Sequence, residues 1–242
     1  MVDSHPGLDI IDLGRMAYAP ALEIQRARQA ELIDARGTPG GPIGTIFLVE
    51  HDPVITVTSR PGAADHVLAS ADHLASLGVE IHQTDRGGDV TYHGPGQIVA
   101  YPILDLERLA APSGKPLGLH RYMRLLEQAV IDTLATFNIS GERDQAATGV
   151  WVTSTPGAQP AKIAAMGVRV RKWVTMHGLA LNVAPDLAHF NLIVPCGLAG
   201  RPVTSMQALL GESCPSFNAA RSTLAGHLAR LVVERTATPI SR

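Results

Sequence analysis

The cysteine within residues 194–197, which read Val-Pro-Cys-Gly, has neighbours that suit a nucleophile. Pro195 restricts the backbone before Cys196, and Gly197 removes side-chain bulk after it, so a ligand could come close to the sulfur. Nearby positive charge raises the thiolate fraction of a cysteine, and the thiolate is the reactive form. Cys196 is therefore a candidate nucleophile, and the alternative is a small buried side chain. A single cysteine is more commonly a small buried side chain, and we expect that role for Cys214.

A second candidate is Lys162, which stands between apolar residues in the segment PAKIAAMGVRV. Only three of the 20 basic Lys and Arg residues are lysines, namely Lys115, Lys162 and Lys172. An amine can take up and release a proton, whereas a guanidinium cannot at any useful pH. Lys162 is thus a candidate acid–base group. The alternative is a lysine at the edge of a strand with its ammonium in water.

Two further segments suggest a binding wall. Residues 85–97 read DRGGDVTYHGPGQ, and their glycines give a backbone that can lie against a flat or linear ligand. The segment matches neither GxGxxG nor GxxxxGK[ST], so it carries no standard nucleotide signature. A plain β-hairpin is the alternative. His177, in MHGLALN, is either a catalytic group or a turn histidine.

Composition and spacing exclude several classes of protein. Hydrophobic residues make up 45% of the chain and charged residues 17%, as in globular proteins, and no apolar run approaches 18 residues. The N-terminus carries acidic residues where a secretory signal would begin with basic ones, which favours a cytoplasmic location. The spacing of the two cysteines forms no CxxC, and no HExxH is present, so we expect no metal site and no cofactor.

Charge is distributed unevenly along the chain, whose formal net charge is −2. Residues 145–211 contain one carboxylate, Asp186, against five basic residues: Lys162, Arg169, Arg171, Lys172 and Arg201. This basic stretch is either a docking surface for an acidic partner or a solvated strand face. The sequence pI of about 6.5 and the lack of a recognisable nucleic-acid motif argue against nucleic acid as the partner.

Hydrophobic periodicity predicts the elements that position these residues. Residues 119–137 give the clearest helix, because their apolar side chains recur at i, i+3, i+4 and i+7. Helices are also predicted at 18–36, 69–77, 186–190, 203–210 and 217–234. Strands are predicted at 8–13, 46–50, 54–58, 81–84, 89–92, 97–106, 150–153, 162–173 and 176–183. We expect 46–50 to pair with 54–58, and 162–173 with 176–183. Clustered strands without a regular βαβ alternation favour an α+β fold with mixed and antiparallel sheets, in a single domain over 1–242.

In their order along the chain, DRGGDVTYHGPGQ, PAKIAAMGVRV, MHGLALNV and VPCG resemble the octanoyltransferase family of lipoate biosynthesis. The resemblance covers about residues 8–210 and implies the α+β fold shared by lipoate and biotin protein ligases. It implies that Cys196 accepts the acyl group and that Lys162 is its partner. It also implies an acyl-binding wall made of Arg86, Gly87, Gly88, Asp89, Val90, Thr91, Tyr92, His93, Ala165, Met166, Gly167, Gly178, Leu179 and Ala180.

The sequence departs from the family's pattern in three places. Asp89 stands where a neutral polar residue is more usual. Residues 58–60 (Thr-Ser-Arg) replace a glycine-containing turn, and residues 153–160 carry extra Thr, Pro and Gly. None of the three alters Cys196 or Lys162.

The implied partners are octanoyl-acyl carrier protein as donor, and the lipoyl domains of 2-oxoacid dehydrogenases and the glycine cleavage H protein as acceptors; no membrane or nucleic acid is involved. Three other functions remain possible on the sequence alone. They are an ATP-dependent lipoate or biotin ligase, a non-catalytic module that binds acyl carrier protein, and a cysteine hydrolase activated by His93 or His177.

Overall fold

The computed structural model describes residues 6–36, 40–110, 115–155, 157–194 and 200–236. Its strands are β1 (Leu8–Met16), β2 (Gly44–His51), β3 (Val54–Thr58), β4 (Glu80–Thr84), β5 (Val90–His93), β6 (Gln97–Leu104), β7 (Glu142–Arg143), β8 (Val150–Val152), β9 (Ala161–Arg171) and β10 (Val174–Asn182). Its helices are α1 (Tyr18–Asp34), α2 (Ala71–Ser76), α3 (Leu119–Thr136), α4 (Met206–Leu210) and α5 (Phe217–Thr236).

A seven-stranded sheet forms the centre of the fold, in the order β1-β2-β6-β10-β9-β8-β7. Only β1 and β2 run parallel among these neighbours, and the other pairs are antiparallel. The alternation along β6 shows how the sheet is covered, because successive strand residues face opposite sides. Ile98 and Ala100 pack in the cluster that includes α3 and α5, whereas Val99 and Tyr101 pack in the cluster that includes α1.

A three-stranded sheet, in the order β4-β3-β5, stands beside the large one. Strands β3 and β4 are parallel, and β3 and β5 are antiparallel. One face packs with residues of α2 and of the 3-10 turns Ala63–His66 and Leu187–Leu192. The two sheets, with mixed and antiparallel pairing, agree with the α+β fold class predicted from the sequence. The prediction of one domain over 1–242 stays a prediction.

The predicted central helix is confirmed as α3, since every member of its apolar stripe is buried: Tyr122, Leu125, Leu126, Ala129, Val130, Thr133 and Leu134. The predicted long antiparallel pair is confirmed as β9 and β10. Strand β9 ends at Arg171 rather than Trp173, because Lys172 and Trp173 form the turn with φ of 46° and 61°. Successive left-handed residues match the twist of a two-residue hairpin. None of the helices described is both long and apolar enough to span a bilayer.

One expectation about local structure was wrong, and another was confirmed as a different type of helix. Strands β2 and β3 do not pair with each other; β2 lies in the large sheet and β3 in the small one. Both are almost wholly buried, so neither shows the alternating pattern that would reveal which face it covers. The predicted short helix at 186–190 is confirmed as the 3-10 helix Leu187–Leu192, which begins where Asp186 accepts a hydrogen bond from the Ala188 N–H.

Candidate active site

A pocket opens where β9 and β10 of the large sheet face the loop that leads into β5 of the small sheet. Its empty space, which includes volume open to solvent, is about 460 Å³. We call it the main pocket; its lining residues are Tyr18, Arg86, Gly88, Thr91, His93, Val99, Tyr101, Ala165, Met166, Gly167, His177, Gly178, Leu179 and Ala180. Most of its exposed wall is apolar, as a hydrocarbon ligand requires.

At two positions of this pocket, backbone atoms of neighbouring segments lie so close together that only glycine fits. The Gly87 N–H donates to the Val168 oxygen at 2.9 Å, which joins the loop before β5 to strand β9. A Cβ added at Gly167 would lie 2.6 Å from the Gly87 oxygen, and one added at Gly178 would lie 2.1 Å from the Ala100 oxygen. Neither site accepts a side chain without movement of the backbone.

Arg86 is a structural part of the wall. Its guanidinium donates to the Thr56 oxygen at 3.0 Å and to the Asp89 oxygen at 2.8 Å. These bonds tie the loop to β3, and they hold the backbone on either side of Gly87 and Gly88 against the pocket. Charge-assisted bonds of this kind are stronger than neutral ones, so the wall is well fixed.

Polar rings occupy the part of the pocket next to α1. His93 and His177 are buried, and desolvation lowers the pKa of each to about 3, with the charge of Arg86 acting in the same direction. Both imidazoles are therefore neutral at pH 7. Neutral His177 contacts Asp85 through Nε2 at 2.8 Å, and the Tyr18 hydroxyl is hydrogen-bonded to the Thr84 hydroxyl. Because these imidazole and phenol rings are uncharged, burying them under an uncharged ligand costs little desolvation energy.

The sequence left two roles open for His177, a turn histidine or a catalytic group. The structure places it in a strand and not in a turn. It is a residue of β10 with φ of 60°, a left-handed conformation that is uncommon outside glycine. Around it β10 is not paired directly with β6: the Thr175 hydroxyl instead accepts from the Leu104 N–H and donates to the Pro102 oxygen. This local departure from regular pairing lies next to the main pocket.

Lys162 lies near the beginning of β9, and only 7% of its surface is exposed. A smaller pocket reaches it, lined by Thr91, Gln97, Lys162, Ala165, Asn182, Phe190 and Val203. Thr91 and Ala165 line this lysine pocket and the main pocket alike, so the two spaces adjoin. The Lys162 N–H donates to the Pro202 oxygen, and its own oxygen accepts from the Thr204 N–H, each at 2.9 Å.

A stack of side chains supports Lys162 from the neighbouring strand β8. The Lys162 ammonium lies 4.8 Å from the centroid of the Trp151 ring, and the Arg201 guanidinium carbon lies 3.5 Å from the same centroid. Arg201 also donates to Asp144 at 2.7 Å, and this bond lowers the pKa of the Asp144 carboxyl to about 2. Arg201 thereby holds the chain that runs from Gly200 into the contact with Lys162.

The predicted nucleophile, Cys196, lies with Pro195 and Gly197 outside the described residues. The chain on either side of that segment is described. The Val194 N–H donates to the His66 oxygen at 2.8 Å, and Val67 forms a bridge with Ile193. Val194 and Gly200 both line one groove, the outer groove, whose other residues include Leu68, Phe190, Asn191 and Val203. Phe190 and Val203 line the lysine pocket as well.

Ten of the residues predicted for the acyl-binding wall line the main pocket: Arg86, Gly88, Thr91, His93, Ala165, Met166, Gly167, Gly178, Leu179 and Ala180. Gly87 is beside it, through its contact with β9. Val90 and Tyr92 face the opposite side of β5, where they pack with Phe190 and Leu192. The Asp89 side chain points toward His66. That these residues bind an acyl chain stays a prediction.

Tyr18, Val99 and Tyr101 were not singled out from the sequence, although they line the pocket. Tyr18 begins α1, far from the glycine-rich motif along the chain, and nothing in its neighbours indicates contact with that motif. Val99 and Tyr101 look like ordinary strand residues. The sequence offered one signal: Val99 and Tyr101 are two positions apart in a strand, so they lie on the same face of β6.

Comparison with known proteins assigns the family. The model of the lipoyl protein ligase A/B catalytic domain matches residues 18–228. An octanoyltransferase of Acidobacterium capsulatum is 49% identical over 203 residues, which are 83% of this chain and 79% of that protein. An octanoyltransferase of Chloroflexus aurantiacus is 50% identical over 202 residues, 83% of each chain. One of Geobacter metallireducens is 41% identical over 226 residues, 93% of this chain and 94% of its own.

Solved structures show the same fold at much lower identity. A putative lipoate protein ligase from T. acidophilum with bound lipoic acid superposes with a TM-score of 0.67 at 14% identity, over 95% of this chain and 87% of that one. A lipoate-protein ligase A bound with ATP gives 0.66 at 14% identity, over 95% and 86%. These structural similarities establish the fold, and the sequence relatives establish the family. The chain belongs to the octanoyltransferase family, whose catalytic domain is of the lipoyl protein ligase A/B type.

Proposed function

We propose that this protein transfers an octanoyl group from octanoyl-acyl carrier protein to a lysine of a lipoyl domain, through a thioester on Cys196. The observation that carries the proposal is that the apolar main pocket adjoins the lysine pocket at Thr91 and Ala165. Relatives named octanoyltransferase, at 41–50% identity over most of the chain, support the same activity. The reaction is the first step in making a protein-bound lipoyl group.

The first half-reaction exchanges one thioester for another. The Cys196 thiolate attacks the octanoyl carbonyl, the bond from that carbon to the carrier's sulfur breaks, and the carrier leaves as a thiol after taking a proton from the Lys162 ammonium, which becomes neutral. Both ends of the exchange are thioesters, so no ATP is required. An ordinary cysteine is only a few per cent thiolate at pH 7. A Lys162 ammonium near the sulfur favours the thiolate and supplies positive charge during attack.

The second half-reaction requires a base. The acceptor lysine attacks as a neutral amine, the bond from the acyl carbon to the Cys196 sulfur breaks, and an amide forms. Lys162, left neutral after the first half-reaction, takes the proton that the amine releases. One residue then acts as acid in one step and base in the next, which is the usual requirement for a two-step transfer. The position of Lys162, 7% exposed and lining the pocket that adjoins the main pocket, supports this role.

The main pocket suits the acyl tail. An octanoyl chain has about six methylenes, and full burial contributes about 0.8 kcal/mol for each, or about 5 kcal/mol in all. Strand geometry indicates how far the tail extends from Lys162. Ala165 is three residues along β9 from Lys162 and Gly167 is five, which corresponds to about 10 Å and about 16 Å at 3.3 Å per residue. A tail that passes Thr91 and Ala165 would end near Gly167, Gly178 and His177.

The proposed donor and acceptors follow from the family. The acceptors would be lipoyl domains of 2-oxoacid dehydrogenases and of the glycine cleavage H protein. A structural neighbour is described together with an E2 lipoyl domain, as part of an archaeal lipoylation system, which supports a lipoyl domain as acceptor. Two rivals differ in simple ways. An ATP-dependent ligase would need ATP and a free acid, and a cysteine hydrolase would release free octanoate.

Intact mass spectrometry tests the proposal directly. The protein incubated with octanoyl-acyl carrier protein, without ATP, should gain one octanoyl group, and a lipoyl domain added afterwards should remove it as an amide. Cys196→Ala should gain none. Cys214→Ser is the matched control and should still be acylated, because Cys214 is partly buried and burial raises the pKa of its thiol, which leaves it protonated. An adduct on Cys214, or one that forms only with ATP, would contradict the proposed transfer.

A further inference from the structure

Gly149, the residue before β8, lies against the side chain of Lys162. Its φ of 127° is a backbone conformation that favours glycine. A Cβ added at this position would lie 2.6 Å from the Ala164 oxygen and 3.4 Å from the Lys162 Cε. A side chain would therefore collide with β9, and only the bare backbone of a glycine can pack here beside the lysine.

The pairing of β8 with β9 is irregular at the same point. Val150 pairs with Ala164 and Trp151 pairs with Lys162, so the register skips one residue of β9. Such a bulge changes the direction in which a side chain points. The Trp151 ring, which lies 4.8 Å from the Lys162 ammonium, is itself fixed because its Nε1 donates to the Ala147 oxygen at 3.1 Å. The chain around the start of β8 thus determines where the amine lies.

The carboxylate of Glu127, on helix α3, holds this chain in place. Its Oε1 accepts a hydrogen bond from the Gly149 N–H at 3.3 Å. Its Oε2 accepts from Arg124 at 2.6 Å and from Arg143 at 3.1 Å. Charge-assisted bonds of this kind are stronger than neutral ones, so the carboxylate is well fixed and presents its other oxygen to Gly149 at a defined position.

Glu127 is unusual among the buried residues of α3, a helix that is described throughout, because it alone of them carries a charge. Its side chain is only 2% exposed. A buried ion pair often adds no stability over apolar residues of the same volume, since desolvation offsets the attraction. Stability is therefore a weak reason for a carboxylate at this position, whereas contact with the backbone beside Lys162 is a specific one.

We propose that Glu127 is a positioning residue for the Lys162 amine, which it controls through the Gly149 N–H. It acts by keeping the chain before β8 against the lysine side chain. The inference rests on the proposed role of Lys162 as the base of the second half-reaction. A base must lie within about 2.6–3.2 Å of the atom whose proton it takes, and a misplacement of about 1 Å can reduce the rate about 100-fold.

NMR of isotopically labelled lysine reports the position of the amine directly, because the chain has only three lysines. The ring current of Trp151 should separate the ε-methylene signal of Lys162 from that of exposed Lys115, and Lys162→Arg identifies the signal by its loss. We expect Glu127→Ala to move this signal at least halfway toward that of Lys115, because Gly149 loses its anchor. Glu127→Gln keeps an acceptor oxygen for the same N–H and should leave the signal in place.

The rate of amide formation, measured with octanoyl-acyl carrier protein and a lipoyl domain, gives the functional consequence. Glu127→Ala should lower kcat about 100-fold and leave KM for the lipoyl domain within about twofold of the parent. Glu127→Gln should restore kcat to within about threefold of the parent, since a neutral hydrogen bond replaces a charged one. Rescue by glutamine distinguishes a role of the acceptor oxygen from a role of the charge.

Asp105→Ala is the matched control, because Asp105 is an equally buried carboxylate, paired with Arg36 at 3.0 Å. It forms a bridge with Val174, beside the turn between β9 and β10 and far along β9 from Lys162. The control should lower the thermal midpoint about as much as Glu127→Ala does, because each removes one partner of a buried ion pair. Its lysine signal and its kcat should equal those of the parent, so loss of stability alone would not explain the effect at Glu127.

A Lys162 signal that stays in place in Glu127→Ala, a kcat within about twofold of the parent, or an equal loss of kcat in Asp105→Ala would overturn the inference. If Glu127→Ala does not fold, Glu127→Met takes its place, since methionine keeps most of the volume without offering an oxygen. A parent enzyme that forms no amide would instead contradict the proposed function. The lysine signal would still decide whether Glu127 positions the amine.

Discussion

Lys162 has two tasks in the proposed reaction, and substitution can separate them. Arginine keeps the positive charge that Lys162 supplies but cannot give up a proton at a useful pH. We expect Lys162→Arg to form the octanoyl thioester and then to stall, with overall transfer reduced about 100- to 10,000-fold, as is typical for loss of an acid–base group. Adduct formation and amide formation, measured separately by mass spectrometry, give the two rates.

Lys115→Arg is the control for that substitution, because Lys115 is exposed. It should leave both half-reactions unchanged. If Lys162→Arg completes transfer within a few-fold of the parent, Lys162 supplies charge alone and a different group accepts the proton.

The buried histidines His93 and His177 make the stability of the protein depend on pH. Each has a pKa of about 3 when folded and about 6.5 when unfolded. Below pH 6.5 the unfolded chain therefore binds protons that the folded chain does not. Their contribution is fully present above pH 6.5 and is lost as the pH falls toward 3. Each histidine should reduce the free energy of unfolding by up to about 1.4 kcal/mol per pH unit in that window.

His177→Asn tests this dependence, since asparagine tolerates the left-handed backbone at that position. Urea unfolding at pH 7 and pH 5 should show a shallower pH dependence in the variant than in the parent, by up to about 1.4 kcal/mol per unit. Equal slopes would mean that His177 is protonated in the folded protein at the lower pH.

Sequence reasoning worked best at the residue scale where several motifs constrained one another. Most of the wall predicted from the glycine-rich segment and from β9 and β10 surrounds one pocket. It missed Tyr18, because helix α1 reaches the pocket only through tertiary packing. It noted Asp89 as unusual but could not foresee its contact with His66, since a contact between a turn and a loop 23 positions later leaves no periodic signal.

At the scale of elements, periodicity predicted where most helices and strands lie, but it did not predict which sheet received β2 and β3. Buried strands carry apolar residues on both faces, so the alternation that would orient them is missing. Asp52 and Pro53 indicated a change of chain direction in the sequence. The same residues fit either a hairpin within one sheet or a crossing from one sheet to the other. The junction of the two sheets, where the main pocket lies, was thus the part of the fold least accessible to prediction.

Gly167→Ala tests the contact that joins the sheets. The added Cβ would lie 2.6 Å from the Gly87 oxygen and 3.2 Å from the Arg86 Cδ, so the loop before β5 must move away from β9. We expect a loss of about 1–3 kcal/mol in the free energy of unfolding, as for other overpacked sites. KM for octanoyl carrier protein should rise about 10-fold, because the wall of the main pocket shifts.

Gly226→Ala is the matched control, since Gly226 lies in α5 with no atom within 4 Å of the added Cβ. It should raise stability by about 1 kcal/mol and leave KM unchanged. A Gly167→Ala enzyme with parental stability and KM would show that the close contact between Gly167 and Gly87 is not needed for the pocket.

At the scale of the whole molecule, the basic stretch of the sequence does not form one surface. Arg169 is paired with Asp85, Arg201 is paired with Asp144, and Lys162 is buried. Arg171 and Lys172 are exposed at the turn between β9 and β10. That turn is nine residues along β9 from Lys162, or about 30 Å at 3.3 Å per residue. The Debye length at physiological ionic strength is only about 8 Å, so charge at the turn acts weakly at the lysine pocket.

In the proposed reaction an acidic acyl carrier protein would bring its thioester to Lys162. The outer groove is a described surface that adjoins the lysine pocket, through Phe190 and Val203. Asn191 is exposed in that groove and nearly isosteric with aspartate. We expect Asn191→Asp to lower kcat/KM for the carrier several-fold at low salt, through slower association, and to match the parent at about 1 M salt, where the Debye length is about 3 Å.

The comparison variant carries Arg171→Glu and Lys172→Glu together, a much larger change of charge at the distant turn. Its kcat/KM should remain within about twofold of the parent at physiological salt, where several Debye lengths separate the turn from Lys162. If the double reversal slows association at physiological salt more than Asn191→Asp does, the carrier docks along the turn between β9 and β10. Its acyl group would then have to span about 30 Å to Lys162, or enter the main pocket from the end at Gly167.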